Sequence, residues 1–262
     1  MKHVIIRLTA VVMAATMLCG CVIKKGESES DRDRFALKTF GYTNLSLAEY
    51  LRIMSLAQIV NRYIEADEAE RQAIDERYFP TMKIRQDDNG IWCLRRSGEV
   101  LYSFLCDGSL NTSGSRWEAS ANSDPFVTSN NKITIDCLAE GKWQIDIINV
   151  VSYPFIGSGS YEITGGTEIY DADLEYQPIF EYEISGSGYI EQRASLTSGE
   201  YFKVEFDIVE PLAYRADGGF VEGKSQIEVT DGTGAKPVPD FTANLTGGTA
   251  SIQYSIHNTA VR

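Results

Sequence analysis

The sequence predicts a mainly β fold: an antiparallel β-sandwich or barrel-like meander with an N-terminal helical segment packed on it. Three observations carry this. From residue 81 onward, apolar residues alternate with polar ones in short runs, the period of a half-buried strand. Asn-Gly, Ser-Gly, Asp-Gly and Gly-Gly pairs punctuate those runs and supply the backbone conformations that hairpin turns need. One long stretch of helical periodicity lies ahead of them. Composition agrees: 14 Tyr, 11 Phe and 22 Gly in 262 residues, 43% of them hydrophobic, suffice for a core and favour strands and turns.

The helical stretch is residues 46–64. Ser46 followed by Glu49 has capping-box spacing and marks its start. Ile53, Leu56, Ala57, Val60, Tyr63 and Ile64 recur at three and four, and Leu47, Leu51 and Met54 widen the same apolar face. A second, more polar helix follows over 67–78, with Asp67 and Glu70 capping it and Ala69, Ala73 and Ile74 facing inward. Phe79-Pro80 ends it, because the residue before a proline avoids helical geometry.

The strands begin with Met82–Gln86 and Ile91–Arg96 around Asp88-Asn89-Gly90, then Glu99–Leu105 after Ser97-Gly98. Residues 111–131 read as a long loop holding one short strand near Arg116-Trp117-Glu118, and loops of this length often carry function. Lys132–Leu138 and Lys142–Val151 form a hairpin across Glu140-Gly141. Tyr153-Pro154 and Gly157–Ser160 interrupt the pattern, a weak subdivision near 152–160. Gly157-Ser158-Gly159 and Gly186-Ser187-Gly188 read as turn glycines. Around them lie Tyr161–Thr164, Thr167–Tyr176, Ile179–Ser185 and Tyr189–Leu196. In Glu200–Val209, Phe202, Val204, Phe206 and Ile208 alternate with Tyr201, Lys203, Glu205 and Asp207, the cleanest half-buried strand of the chain. Phe220–Val229, Phe241–Leu245 and Thr249–His257 complete the series.

The N-terminus has the layout of an export signal. Met1–Arg7 carries Lys2 and Arg7 and no acid, and Leu8–Leu18 is apolar but for Thr9 and Thr16. That run is too short to cross a bilayer, which takes about 20 apolar residues. Leu18-Cys19-Gly20-Cys21 resembles a bacterial lipobox: aliphatic, small, Gly, then Cys. The resemblance implies that Cys21 is diacylated on sulfur, becomes the first residue after cleavage, and is acylated, palmitate-like, on its new amino group. One acyl chain binds a membrane marginally, whereas several make attachment effectively permanent. Val22 is not the Asp that retains enteric lipoproteins at the inner membrane, so the resemblance implies the outer membrane, on its periplasmic or its surface face. The organisation expected is a signal peptide (1–20), lipidated Cys21 and a flexible tether (21–44), a helical segment (45–80) and a β domain (81–262). Lys24 to Arg34 holds no apolar residue to bury, which is the reason for reading a tether.

The net charge is −13. Removing Lys2 and Arg7 with the signal leaves 22 basic and 37 acidic residues, or −15. So acidic a chain is not expected to bind nucleic acid. Beside Cys21, the mature chain has Cys93, Cys106 and Cys137, at most one disulfide's worth and without C-x-x-C spacing. His257 is its one histidine, so a Ser-His-Asp or Cys-His arrangement could use no other. A G-x-S-x-G motif is absent.

Two candidate sites remain. Asp171, Asp173 and Glu175 fall at i, i+2 and i+4, so a strand would put three carboxylates on one face, suited to Ca²⁺. Trp117 sits in the polar stretch Ser113–Ser123 and, if exposed, would stack on a sugar ring; otherwise it folds onto the sheet. The expectation is an outer-envelope lipoprotein that binds or builds rather than catalyses, with a glycan, peptide or envelope-protein partner and no cofactor. The alternatives are a glycan hydrolase using paired carboxylates and a pilus or adhesin subunit joined through an open sheet edge.

Overall fold

The computed structural model describes residues 29–121, 132–152, 155–169, 177–192, 201–215, 219–233 and 240–254. Two helices come first, α1 (Glu29–Glu65) and α2 (Glu68–Tyr78). Twelve strands follow: β1 (Lys83–Gln86), β2 (Trp92–Arg96), β3 (Glu99–Asp107), β4 (Arg116–Ala121), β5 (Lys132–Ala139), β6 (Lys142–Ser152), β7 (Phe155–Glu168), β8 (Phe180–Gln192), β9 (Tyr201–Arg215), β10 (Gly219–Thr233), β11 (Phe241–Thr246) and β12 (Thr249–Tyr254). They form one sheet in which each strand pairs with its neighbours in sequence, from β1 to β12. The fold is therefore the antiparallel meander with an N-terminal helix packed on it. Among the described residues no pairing joins β1 to β12, so the sheet stays open.

Helix α1 begins at Glu29, not near residue 45. Residues 29–44 are thus helix rather than tether. Ala36, Thr39, Phe40, Thr43, Leu47 and Tyr50, spaced at three and four, are all buried. Two of these positions are threonines, and Thr43 Oγ1 meets its hydrogen-bonding need inside the helix by donating to the Phe40 carbonyl at 2.8 Å. Ser46 lies inside the helix at 0% exposure, so it does not cap it. Glu49 pairs instead with Arg52, whose guanidinium also reaches the Tyr102 hydroxyl.

The middle of α1 is apolar on every side: Leu47, Leu51, Ile53, Met54, Leu56, Ala57, Ile59 and Val60 are all buried. A helix that is hydrophobic all round needs cover all round, and the sheet supplies it by curling. Tyr63 meets Trp92 of β2 at 6.1 Å between ring centroids, and Tyr42 meets Phe155 of β7 at 4.5 Å. Asp33 accepts from the Tyr254 hydroxyl of β12 at 2.6 Å. Several of the polar groups that α1 buries are matched, while Asn44 Oδ1 and the Tyr50 hydroxyl have no hydrogen-bond partner among the described residues. Ser55 Oγ lies 3.2 Å from the Tyr182 hydroxyl, to which Gln58 also donates, and Asn61 Oδ1 accepts from the Leu110 amide at 2.8 Å.

These contacts give the molecule two ends. The start of α1 lies with the start of β7 and the end of β12, while Arg62 near its end sits over Phe180, where β8 starts, and reaches Glu168, where β7 ends. Helix α2 docks at this second end. Its capping box is present: Asp67 Oδ1 accepts from the Glu70 amide at 2.9 Å and Glu70 Oε2 from the Asp67 amide at 3.3 Å. Its inward face differs from expectation, since Ala69 and Ala73 are exposed and the half-buried positions are Arg71, Ile74, Asp75 and Tyr78. With few apolar side chains to bury, α2 is held by polar contacts: Arg71 donates to the Tyr63 and Ile64 carbonyls of α1 at 2.9 and 3.1 Å, and Glu168, paired with Arg62 of α1 at 3.2 Å, accepts from Tyr78 and pairs with Arg77 at 2.6 Å.

Gly157-Ser158-Gly159 and Gly186-Ser187-Gly188 are not turns. They lie opposite one another inside β7 and β8, with Gly159 facing Gly188, Ser160 facing Ser187 and Tyr161 facing Gly186. The missing side chains leave room for Tyr50 of α1 and Tyr161, whose rings are 5.6 Å apart. A Cβ on Gly188 would lie 2.5 Å from the Ser158 carbonyl oxygen and 3.0 Å from Tyr161 Cζ. Gly186 holds φ at +125°, and the β8–β9 register slips between Ile184 and Gly186, one of the places where the sheet bends round the helix. Gly165-Gly166 likewise forms a register shift inside β7 and does not divide two strands. Strands β6 and β7 pair through the 152–160 region, so no subdivision falls there; Tyr153 and Pro154 lie outside the described residues.

Candidate functional site

Trp117 is not a surface ligand platform. It is 0% exposed on β4, its ring 6.3 Å from that of Phe104, and its indole N–H donates to the Gly108 carbonyl at 3.0 Å. It pairs with Ile135 and alternates with Glu118, which puts it on the helix-facing side of the sheet. The polar segment around it supplies outward residues and a turn, not a solvent-facing aromatic. Trp143 is placed alike, with its N–H on the Leu110 carbonyl at 2.9 Å. Cys21, the Asp171-Asp173-Glu175 set and His257 lie outside the described residues.

Among the described residues, a concave surface lies on the outer face of β8, β9 and β10. Ser187, Gly188, Tyr189, Glu205, Phe206, Asp207, Gln226 and Glu228 line a groove of about 390 Å³. Its geometry follows from strand alternation and register. Val204, Phe206 and Ile208 are buried against the helix side, so Glu205 and Asp207 must point outward. Register then sets two cross-strand rows, Ser187–Asp207–Gln226 and Tyr189–Glu205–Glu228. Glu205 and Glu228 are directly opposed, an arrangement that disfavours folding by a fraction of a kcal/mol, on the order of 0.2–1.

Tyr189 is held in place from its hydroxyl end. Ser158 Oγ donates to it at 3.2 Å, the Asn149 side-chain oxygen lies 3.4 Å away, and the Asn149 amide donates to Ser158 Oγ at 2.9 Å. Asn149 adopts φ +52° where the β6–β7 register slips. Lys203 lies 4.5 Å from the centre of the Tyr189 ring and 3.3 Å from Glu205. The groove thus offers three carboxylates, a carboxamide, a hydroxyl and one aromatic ring on a fixed backbone.

Beneath this floor the core contains two tyrosine hydroxyls, Tyr50 and Tyr161, without a hydrogen-bond partner among the described residues. Burial pushes both phenols well above the ordinary tyrosine range. Tyr161 stacks on Phe206, whose backbone forms part of the groove, at 6.3 Å. Cys93 and Cys137 are buried, and burial pushes the Cys106 thiol up to about 12. Among the described residues there is no histidine, and no group of three His, Cys, Asp or Glu side chains placed to hold a metal ion.

The groove residues carry little signal in the sequence. Glu205 and Asp207 appear there only as the polar side of an alternating strand. What would have found the site is hairpin order: if each strand pairs with the next, the outward residues of three successive strands must adjoin. No family model, curated protein or solved structure matches the chain.

Proposed function

We propose that the chain is a lipid-anchored binding protein of the bacterial outer envelope that engages hydroxyl-rich glycans through the β8–β10 groove. The anchor rests on Leu18-Cys19-Gly20-Cys21 and the export signal before it. The binding role rests on one observation: two cross-strand rows of acceptors, with Tyr189 at the end of one, line a shallow groove on a rigid sheet. Carboxylates and a carboxamide match sugar hydroxyls, which donate, and an aromatic ring matches the apolar face of a sugar. The test is a glycan array probed with wild type, Asp207→Asn and Glu228→Gln. Loss of wild-type binding in both variants supports the groove; unchanged binding removes it.

The opposed pair Glu205 and Glu228 favours a second reading, a hydrolase with two carboxylates at one glycosidic bond. Sugar release from a bound glycan by wild type, abolished in Glu205→Gln and in Glu228→Gln, would establish it. Binding without release supports the first reading.

A further inference from the structure

We infer that the end of the molecule at which α1 starts is the face that meets the lipid surface, with the β8–β10 groove standing clear of it. The inference rests on the acylation of Cys21 proposed above. Eight peptide steps separate Cys21 from Glu29, so their Cα atoms are at most about 29 Å apart whatever path the chain takes. Helix α1 has 37 residues and is about 55 Å long. The leash is therefore short against the body it holds.

The start of α1 cannot swing away from the rest. Tyr254 donates to Asp33, and Tyr42 packs on Phe155, so the leash pulls on the whole sheet at this end. Lying on its side is disfavoured by charge. The outer face of the sheet presents Asp146, Glu162, Glu205, Asp207 and Glu228 beside Lys142, Lys203 and Lys224, of which Lys142 pairs with Glu162 and Lys203 with Glu205, and the mature chain carries −15 overall, so acid stays in excess. An anionic phospholipid surface repels such a flank, whereas the tethered end alone is compelled to stay near it. The turns at Asn89, Glu140 and Gly248 then point away from the membrane. Tyr50, which packs beside the strands that carry the groove, lies about 30 Å along α1 from its start. That height keeps the groove accessible to a glycan in the envelope.

Energy transfer from a donor on the protein to an acceptor on lipid headgroups tests this. Lys38→Cys and Glu140→Cys place the donor at exposed positions at opposite ends. The native thiols compete little, because Cys93 and Cys137 are buried and the Cys106 thiol is held up to about 12 by burial. The full chain, its acylation verified by intact mass, is reconstituted in phosphatidylethanolamine and phosphatidylglycerol vesicles. Donor positions roughly 30 Å apart along the helix direction should give at least about twofold higher transfer from residue 38 than from residue 140. A 20-residue Gly-Ser spacer inserted after Gly26 should remove most of that difference. Equal or reversed transfer in the acylated, vesicle-bound protein overturns the orientation. A product without acyl mass overturns the anchor itself, and with it this inference, so the two failures are told apart.

Discussion

Gly188→Ala tests the joint between helix and sheet most sharply. The added Cβ would sit 2.5 Å from the Ser158 carbonyl oxygen and 3.0 Å from Tyr161 Cζ, and nearer still to the Tyr161 hydroxyl. Side-chain carbons do not approach so closely, and one of the obstacles is backbone. Overpacking costs about 1–3 kcal/mol, and the backbone obstacle places this case at the upper end, near 3. At about 2–4 °C per kcal/mol for a chain of this size, Tm should fall by roughly 6–12 °C. Tyr161→Phe deletes a hydroxyl that has no partner among the described residues, so alone it should leave stability unchanged or raise it by about 1 kcal/mol. Combined with Gly188→Ala it should recover about 1 kcal/mol, the remainder reflecting Ser158. Ser187→Ala, on the outer face, should stay within about 0.5 kcal/mol of wild type. Urea titrations and thermal melts read all four variants. A Gly188→Ala protein as stable as wild type would mean that 186–188 is a turn after all, with no ring beneath it.

Two further outcomes follow from the described contacts. Burial works to raise the Glu168 pKa, but Tyr78, Arg62 and Arg77 outweigh it and hold the carboxyl below the ordinary value of 4.5. A depressed carboxyl stabilises the fold fully above that ordinary value and loses its contribution as pH falls through the folded one. The protection of α2 amides, with exchange corrected for its intrinsic pH dependence, should therefore fall as the solution is acidified below 4.5, and Glu168→Gln should show the lowered protection already at neutral pH. Trp117→Ala should destabilise by about 3–5 kcal/mol yet leave glycan affinity per folded molecule unchanged, unlike Glu228→Gln; a selective loss of affinity in stable Trp117→Ala protein would restore Trp117 to the site.

Much of the fold is legible in the residues. The β1–β2 hairpin at Asn89-Gly90, the alternation of β9 and the Asp67–Glu70 cap are local signals, and each stands in the structure where its chemistry puts it. The rest depends on partners distant in sequence. Nothing local distinguishes Gly186-Ser187-Gly188 as a turn from the same three residues in a strand; Tyr50 and Tyr161, which fill the space, lie 136 and 25 residues before Gly186. The start of α1 was hidden because Thr39, Thr43 and Asn44 weaken helix propensity, while the burial that overrides it comes from the sheet. Trp117 shows the same limit in reverse, since a polar neighbourhood in sequence says little about a side chain that alternation turns inward. The groove is a product of register, which no single strand encodes.

The most direct measurement is the intact mass of the mature protein extracted from membranes with detergent, beside that of Cys21→Ser. The account predicts a chain beginning at Cys21 that carries diacylglycerol and an amide-linked acyl chain, and a Cys21→Ser product without them that no longer partitions with membranes. A mature chain that begins elsewhere with no added mass, or a Cys21→Ser product equally retained, would contradict it.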